Sequence, residues 1–118
     1  MSKSAKVTPP NSIIFISDPN GGQAPYPVRG ARILATPSCI SVICYPEQDG
    51  PTEVTLGEVT SGDDLAFEGD LETPSRAVVV STVEREVVLE VAVPKTLTHI
   101  RIWMNHPRWP DRIIVGLG

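Results

Sequence analysis

The chain has 118 residues, of which 41% are hydrophobic and 20% are charged, and its net charge at pH 7 is −4. This length suits one domain with a core of its own, and the composition excludes a disordered chain. No apolar run approaches the roughly 20 residues of a membrane helix, and the first residues lack the apolar segment of a secretory signal. We therefore expect a flexible N-terminal lead-in over residues 1–10, a single domain over residues 11–118, and no membrane partner.

Alternation of apolar and polar residues with a period of two dominates the chain and is typical of half-buried strands. In chain order, the strand-like runs are IIFIS (13–17), GARILAT (30–36), CISVICY (39–45), TEVTLGEVT (52–60), RAVVVSTV (76–83), EVVLEVAVP (86–94), THIRIWM (98–104) and DRIIVGL (111–117). Turn signals such as SDPNGG (17–22) and TSGDD (60–64) separate them. The sequence predicts an all-β fold, a single-domain antiparallel β-sandwich of about seven or eight short strands with little or no helix.

The two cysteines, Cys39 and Cys44, lie in one predicted strand. They are five positions apart, and an odd separation points them to opposite faces of a sheet. At about 3.3 Å per residue they are also too far apart for a disulfide. We expect both to be buried, reduced thiols, which indicates a cytoplasmic protein.

Charge is unevenly distributed along the chain. Residues 33–75 contain no lysine or arginine. Nine acidic residues lie there: Glu47, Asp49, Glu53, Glu58, Asp63, Asp64, Glu68, Asp70 and Glu72. One interpretation is that acidic loops keep the domain in solution, and a second is that residues 58–72 bind a basic groove, including the nucleic-acid channel of a nuclease. A third is a calcium site on four acids of a predicted loop: Asp63, Asp64, Glu68 and Asp70.

The sequence offers no coherent set of catalytic residues. Its two histidines are His99, on the outer face of a predicted strand beside Arg101, and His106, in a turn where it can pair with Asp111 or cover Trp109. Neither has a cysteine or carboxylate at the spacing of zinc ligands, and there is no G-x-S-x-G motif or P-loop. We therefore predict a non-enzymatic protein with no metal or cofactor.

The segment RIWMNHPRWPDR (101–112) concentrates arginine and tryptophan. It begins as a strand with Arg101 and Trp103 on the outer face and continues through the Pro-flanked loop NHPRWP. In a structural interpretation, Trp109 folds back over one end of the sandwich. In a functional one, the arginines and tryptophans form a partner-binding face, because both residue types are enriched at interface hot spots. The pI near 5.0 and the three lysines argue against direct nucleic-acid binding, so we expect a protein partner.

Two stretches of the chain resemble the competence-J-type proteins, a family of small β proteins that inhibit a DNA-entry nuclease. These stretches are IIFISD near the start and LEVAVPKTLTHIRIWMNHP…DRIIVGL near the end, together about half of the chain. The resemblance implies a non-enzymatic inhibitor whose partner is a nuclease. The acidic segment from Glu47 to Glu72 is then the natural surface to face that nuclease.

The leading hypothesis is a cytoplasmic β-sandwich that works by protein–protein contact, as an inhibitor or immunity-type partner of a basic nuclease. The predicted partner-binding residues are Asp63, Asp64, Glu68, Asp70, Arg101, Trp103, Arg108 and Trp109. The alternative is a ligand- or ion-binding module of the calcium-loop or carbohydrate-binding kind, since such modules also use sandwich loops and exposed tryptophan. A homodimer is also open, because the valine-rich AVVVSTV (77–83) would be adhesive at a sheet edge.

Overall fold

The computed structural model describes residues 2–26 and 28–118, which form ten strands and two single-turn 3₁₀ helices. The strands are β1 (Ser2–Val7), β2 (Ile13–Ser17), β3 (Ile33–Thr36), β4 (Cys39–Ile43), β5 (Thr52–Gly57), β6 (Asp64–Glu72), β7 (Ala77–Thr82), β8 (Val87–Ala92), β9 (Leu97–Met104) and β10 (Arg112–Leu117). The 3₁₀ turns cover Pro10–Ser12 and Glu47–Asp49. The predicted all-β class is confirmed, and no helix in the described part of the chain is long and apolar enough to cross a membrane.

The strands form two five-stranded sheets. The first sheet has the order β1-β5-β10-β9-β6, and the second has the order β3-β4-β2-β7-β8. Every pairing is antiparallel except that of β5 with β10, which is parallel. The sandwich is therefore not purely antiparallel, because the last strand of the chain inserts between β5 and β9.

The first additional strand comes from the segment predicted to be a flexible lead-in. Residues Ser2–Val7 form β1, which pairs with β5 from Ser2–Gly57 to Val7–Thr52, so the prediction of a flexible lead-in is wrong for residues 2–7. Lys3 conceals the alternation of apolar and polar residues in this strand, because it stands opposite the buried Leu56. Lys3 points toward the core side, and its Nζ reaches out to donate to the carbonyl of Glu90 at 2.9 Å, as long charged side chains do when their stems are partly covered.

The second additional strand comes from the segment predicted to be an acidic loop. Residues Asp64–Glu72 form β6, a nine-residue strand paired with β9. From Phe67 onward the strand alternates regularly, with Leu71 buried and the acids exposed. A register shift between Leu65 and Phe67 and the presence of a glycine at position 69 conceal this alternation in the sequence, which is why the loop prediction is wrong.

The hydrophobic core lies between the sheets and draws on both of them. Its fully buried side chains come from seven strands: Ile14, Ile16, Ile40, Val42, Val54, Leu56, Leu71, Val78, Val80, Ile100, Ile102, Ile113 and Val115. The inward face predicted for β9, with Ile100, Ile102 and Met104, is confirmed. These strands alternate because one face of each is packed and the other is solvated or covered by loops.

The cysteines are buried free thiols, as predicted. Burial raises the pKa of Cys39 to about 11 and that of Cys44 to about 12. Because the thiolate is the reactive form, both groups are protonated and inert at neutral pH.

The valine-rich AVVVSTV stretch is not a sheet edge. It forms β7, which lies between β2 and β8 in the second sheet. Its backbone groups are therefore used on both sides, and a dimer through an exposed β7 edge, which the sequence left open, does not fit this structure. The edge strands are β1 and β6 in the first sheet and β3 and β8 in the second.

The SDPNGG turn has a structural role centred on the buried Asp18. Its carboxylate accepts hydrogen bonds from the Ser75 amide (2.8 Å), the Ser75 hydroxyl (2.8 Å) and the Asn20 amide (3.0 Å). Burial alone would raise the pKa of Asp18, but the hydrogen bonds from Ser75 and Asn20 outweigh it and leave the pKa below its usual value. The turn thereby ties the end of β2 to the β6–β7 connection.

Because one face of β9 packs into the core, we expect alanine substitutions at two aliphatic positions of this strand to differ greatly in their effect on stability. Ile102→Ala removes a fully buried side chain and should lower the free energy of unfolding by about 2–5 kcal/mol. Leu97→Ala, at a side chain that is 53% exposed, should change it by no more than about 0.5 kcal/mol. Urea denaturation of the two variants checks this, and equal losses would contradict the described core.

Candidate protein-binding surface

A short segment crosses the outer face of the first sheet. Strands β5 and β6 run in the same direction, but β10 and β9 lie between them. Residues 58–63, here called the crossover segment, must therefore span three strand spacings, about 14 Å. The crossover segment also runs back along the strands. Asp64, the first residue of β6, pairs with Met104, which pairs with Ile113, which in turn pairs with Val54. The start of β6 is therefore level with Val54, three residues before the end of β5.

Two glycines allow the crossover segment to lie directly on the sheet. A Cβ atom at Gly62 would lie 2.8 Å from the side chain of Trp103, and one at Gly116 would lie 2.5 Å from the Val59 carbonyl oxygen. Neither contact is tolerable for a real Cβ. Glycine at both positions thus permits a close backbone approach, which is one of the uses of this residue in sheets.

Trp103 is the side chain that the crossover segment covers. It lies on the outer face of β9, as the alternation predicted, but only 7% of its surface is exposed. The prediction that the Trp103 side chain is exposed is therefore wrong. Local sequence around Trp103 contains no sign of this burial, because the cover comes from a segment about 40 positions away. Trp103 supports the surface from beneath.

An ion pair holds the end of the crossover segment next to β10. Arg112 donates from Nε to Asp63 Oδ2 at 2.9 Å and from Nη2 to Asp63 Oδ1 at 3.1 Å. Such two-point pairing fixes the geometry of both groups. Asp63 therefore acts mainly as an anchor for the crossover segment, and its charge is matched by Arg112.

Four charged or titratable side chains form a linked group on the outer face of β6 and β9. We call Glu68, Asp70, His99 and Arg101 the His99 cluster. His99 Nε2 lies 2.7 Å from Glu68 Oε2, and His99 Nδ1 lies 2.9 Å from Asp70 Oδ1. Arg101 Nε donates to the same Glu68 oxygen at 3.1 Å. The register causes this, because Asp70 faces His99 and Glu68 faces Arg101 across the strand pair.

The His99 cluster favours the charged forms of its members. Hydrogen bonds to Asp70 and then Glu68 raise the pKa of His99. Hydrogen bonds from His99 and then Arg101 lower the pKa of Glu68. Because the cluster is largely exposed, solvent screens these interactions and their contribution to stability is small. The cluster orders these side chains and sets the two carboxylates against Arg101 and, when it is protonated, His99.

The remaining predicted residues lie at the other end of β9. Arg108 and Trp109 belong to the loop after this strand, about 17 Å along the strand from His99. Trp109 is 41% exposed, and the Arg32 guanidinium lies 4.5 Å from its ring centroid, a cation–π contact that the sequence analysis did not predict. Asp64 is exposed at the start of β6. The structure thus joins Glu68, Asp70 and Arg101 in one surface but separates Arg108 and Trp109 from it.

The predicted roles of His106 need one correction. His106 does not pair with Asp111. Its Nδ1 accepts hydrogen bonds from the backbone amides of Arg108 (3.1 Å) and Trp109 (3.0 Å). Asp111 instead accepts from Asn105 Nδ2 at 2.6 Å. His106 therefore shapes the turn that presents Trp109.

The arrangement of the acids does not favour the calcium interpretation. That interpretation needs four carboxylates on one loop, whereas Glu68 and Asp70 lie on a strand beside His99 and Asp63 is bound to Arg112. Within residues 2–26 and 28–118, no group of three or more histidine, cysteine or acidic side chains is arranged so that it could hold a metal ion. A cleft of about 670 Å³ adjoins the cluster, with Leu97, Val93 and Leu117 among its apolar lining residues and His99 and Asp70 among its polar ones.

Comparison with known proteins shows a likeness of fold. The chain is similar to ComJ from Bacillus subtilis, whose crystal structure is that of an inhibitor of the DNA-degrading activity of NucA, with a TM-score of 0.66 and 10% sequence identity over 99% of this chain and 96% of that chain. No protein-family model matches the sequence, and the search of curated proteins also found no match. The resemblance inferred from the sequence is thus confirmed as a shared fold.

The His99 cluster predicts a specific pH dependence. The pKa of His99 is raised in the folded state. Protonated His99 should therefore make its full contribution to stability at pH values below its unfolded-state pKa of about 6.5. This contribution should decline as the pH rises through the higher folded-state value. The measurement is the free energy of unfolding of wild type minus that of His99→Gln, by urea denaturation from about pH 5.5 to pH 8.5.

A matched control for this measurement removes the partners of the histidine. In a Glu68→Gln/Asp70→Asn background, the same His99→Gln comparison should lose its pH dependence. A wild-type difference that stayed constant across the range would contradict the described cluster.

Proposed function

We propose that this protein is a non-enzymatic inhibitor that acts by direct contact with a DNA-degrading nuclease. The observation that carries the proposal is the match to ComJ over nearly the full length of both chains, combined with an exposed edge strand that bears only acidic charge. A fold alone does not determine a function. The charge on this strand is therefore the independent support.

The charge of β6 suits the surface of a nuclease. The strand carries Asp64, Glu68, Asp70 and Glu72 and no lysine or arginine. A protein that binds DNA neutralises phosphates with clustered positive charge. A negative strand is attracted to the same positive groove, and such complementarity speeds association and selects the partner.

Within this proposal, the predicted residues take different roles. Asp64, Glu68 and Asp70 contact the nuclease, and Arg101 holds Glu68 in position. Asp63 and Trp103 support the surface, Asp63 by fixing the crossover segment and Trp103 by packing beneath it. Arg108 and Trp109 form a second exposed site that a large partner can also reach. The protonated, buried cysteines fit a reducing compartment, so we place the protein in the cytoplasm.

The proposal is tested on DNA degradation itself. Plasmid DNA is incubated with an extract of the cells that produce the protein, with and without excess purified protein, and degradation is followed on a gel. We expect the protein to slow degradation at low salt and to lose this effect at high salt, because the attraction between exposed charges is screened. Unchanged degradation at both salt concentrations would overturn the proposal.

Charge reversal on β6 gives a residue-level prediction. Glu68→Lys/Asp70→Lys should weaken inhibition at low salt by about tenfold or more, since like charges then face the nuclease groove. Glu84→Lys/Glu86→Lys is the matched control, with the same change in net charge on exposed residues near the β7–β8 turn of the other sheet. The half-inhibitory concentrations of both variants are compared with wild type. Equal losses in the two variants would indicate a nonspecific charge effect.

A further inference from the structure

The open edge of β6 offers backbone hydrogen bonds in addition to charge. We propose that it binds an extended, basic segment of the nuclease by β-strand addition, with Glu68 and Asp70 as the residues whose backbone groups pair with that segment. This inference rests on the proposed function.

The direction of the backbone groups follows from two hydrogen bonds outside the β6–β9 ladder. The carbonyl of His99 accepts from the amide of Gly118, so it points toward β10 and away from β6. The amide of Glu72 donates to the carbonyl of Pro37, so it points away from β9. In an antiparallel pair, such residues belong to the positions that do not exchange hydrogen bonds with their partner.

The alternation of the strand extends this result to its middle. Asp70 faces His99, Glu68 faces Arg101 and Glu72 faces Leu97. Because these pairs lie two residues apart along the strand, their backbone groups point in the same direction. The N–H and C=O groups of Glu68 and Asp70 therefore point to the open edge. Among residues 2–26 and 28–118, no backbone or side-chain group bonds these amides or carbonyls.

The other edge strands are protected, and β6 is the exception. β3 has only four residues. β1 and β8 lie beside each other, and Lys3 bridges them by bonding to Glu90. β6 is the longest strand in the described structure, contains no proline or lysine, and leaves Leu65 52% exposed. Proteins usually block long edges because they attract other strands, and an edge left open is the surface used in β-strand addition.

Charge decides what occupies this edge. Two copies of this protein paired through β6 would set acidic residues opposite acidic residues, which is unfavourable across strands. An incoming segment with lysine or arginine at alternate positions would instead place positive charge next to Glu68 and Asp70. The acidic side chains lie on the outer face of the sheet and the open backbone groups lie on its edge, so one segment can use both.

The test separates the contribution of the backbone N–H to binding from that of the carboxylate at Asp70. Asp70→Ala removes the carboxylate but keeps the outward N–H, whereas Asp70→Pro removes both. Proline is tolerated at an edge position whose N–H faces solvent, and Gly69 before it imposes no Cβ clash. The binding partner is the nuclease captured from the same cell extract on immobilised wild-type protein and then purified. We expect Asp70→Pro to bind at least about tenfold more weakly than Asp70→Ala, with both variants showing the wild-type circular dichroism spectrum.

Amide hydrogen exchange on the wild-type protein gives a second measurement that needs no variant. In the free protein, the amides of Glu68 and Asp70 should exchange fast, and those of Phe67, Gly69 and Leu71 slowly. In the nuclease complex, Glu68 and Asp70 should become slow as well, which is the alternating signature of an added strand.

The outcomes distinguish the two proposals. If no nuclease is captured, the proposed function fails and this inference fails with it. If the nuclease binds wild type but binds Asp70→Pro and Asp70→Ala equally, and exchange at Glu68 and Asp70 is unchanged, only the β-strand addition is overturned. A homodimer of the isolated protein with the same exchange protection would show a second copy on the edge, and would also overturn it.

Discussion

The crossover segment on the outer face of the first sheet is the constraint on which the surface of this protein depends. The C-terminal strand β10 pairs in parallel with β5, and this insertion leaves β6 at the far edge. The chain can reach that edge only by passing over β10 and β9, and it can pass closely only because Gly62 and Gly116 have no side chains. The burial of Trp103 and the Arg112–Asp63 ion pair follow from this path, as does the open position of β6.

Sequence reasoning succeeds here where one physical signal dominates. Strands such as β9 and β10 have buried branched side chains on one face, so their alternation alone predicts them. The same reasoning fails for β1 and β6. In β1 a lysine takes a core-side position by extending its ammonium group to a carbonyl. In β6 a register shift and a glycine interrupt the pattern. Both failures concern edge strands, where partial burial weakens the hydrophobic signal.

The candidate surface is likewise predictable from the sequence only in part. The absence of lysine and arginine from residues 33–75 and the nine acids among them are visible in the sequence. Which acids are matched by a cation depends on strand register, and register depends on the whole fold. His99 bridges Glu68 and Asp70 only because β6 pairs with β9 in this alignment, and Asp63 meets Arg112 only because the crossover segment brings it there. Local sequence contains neither fact.

The similarity to ComJ at 10% identity reflects how differently the core and the surface constrain the sequence. A sandwich core tolerates many combinations of Ile, Val and Leu, provided that volume and alternation are kept, so the fold can persist while almost every residue changes. Charge on an edge strand has no such structural role, and acids there are also a common means of solubility. On β6, however, Glu68 and Asp70 each combine an acidic side chain with a backbone amide that points to the open edge of the sheet. Negative charge can attract a partner from any direction, whereas the backbone pattern admits only an extended chain in one register. The combination is more restrictive than either feature alone, and the edge of β6 is where this fold brings the two together.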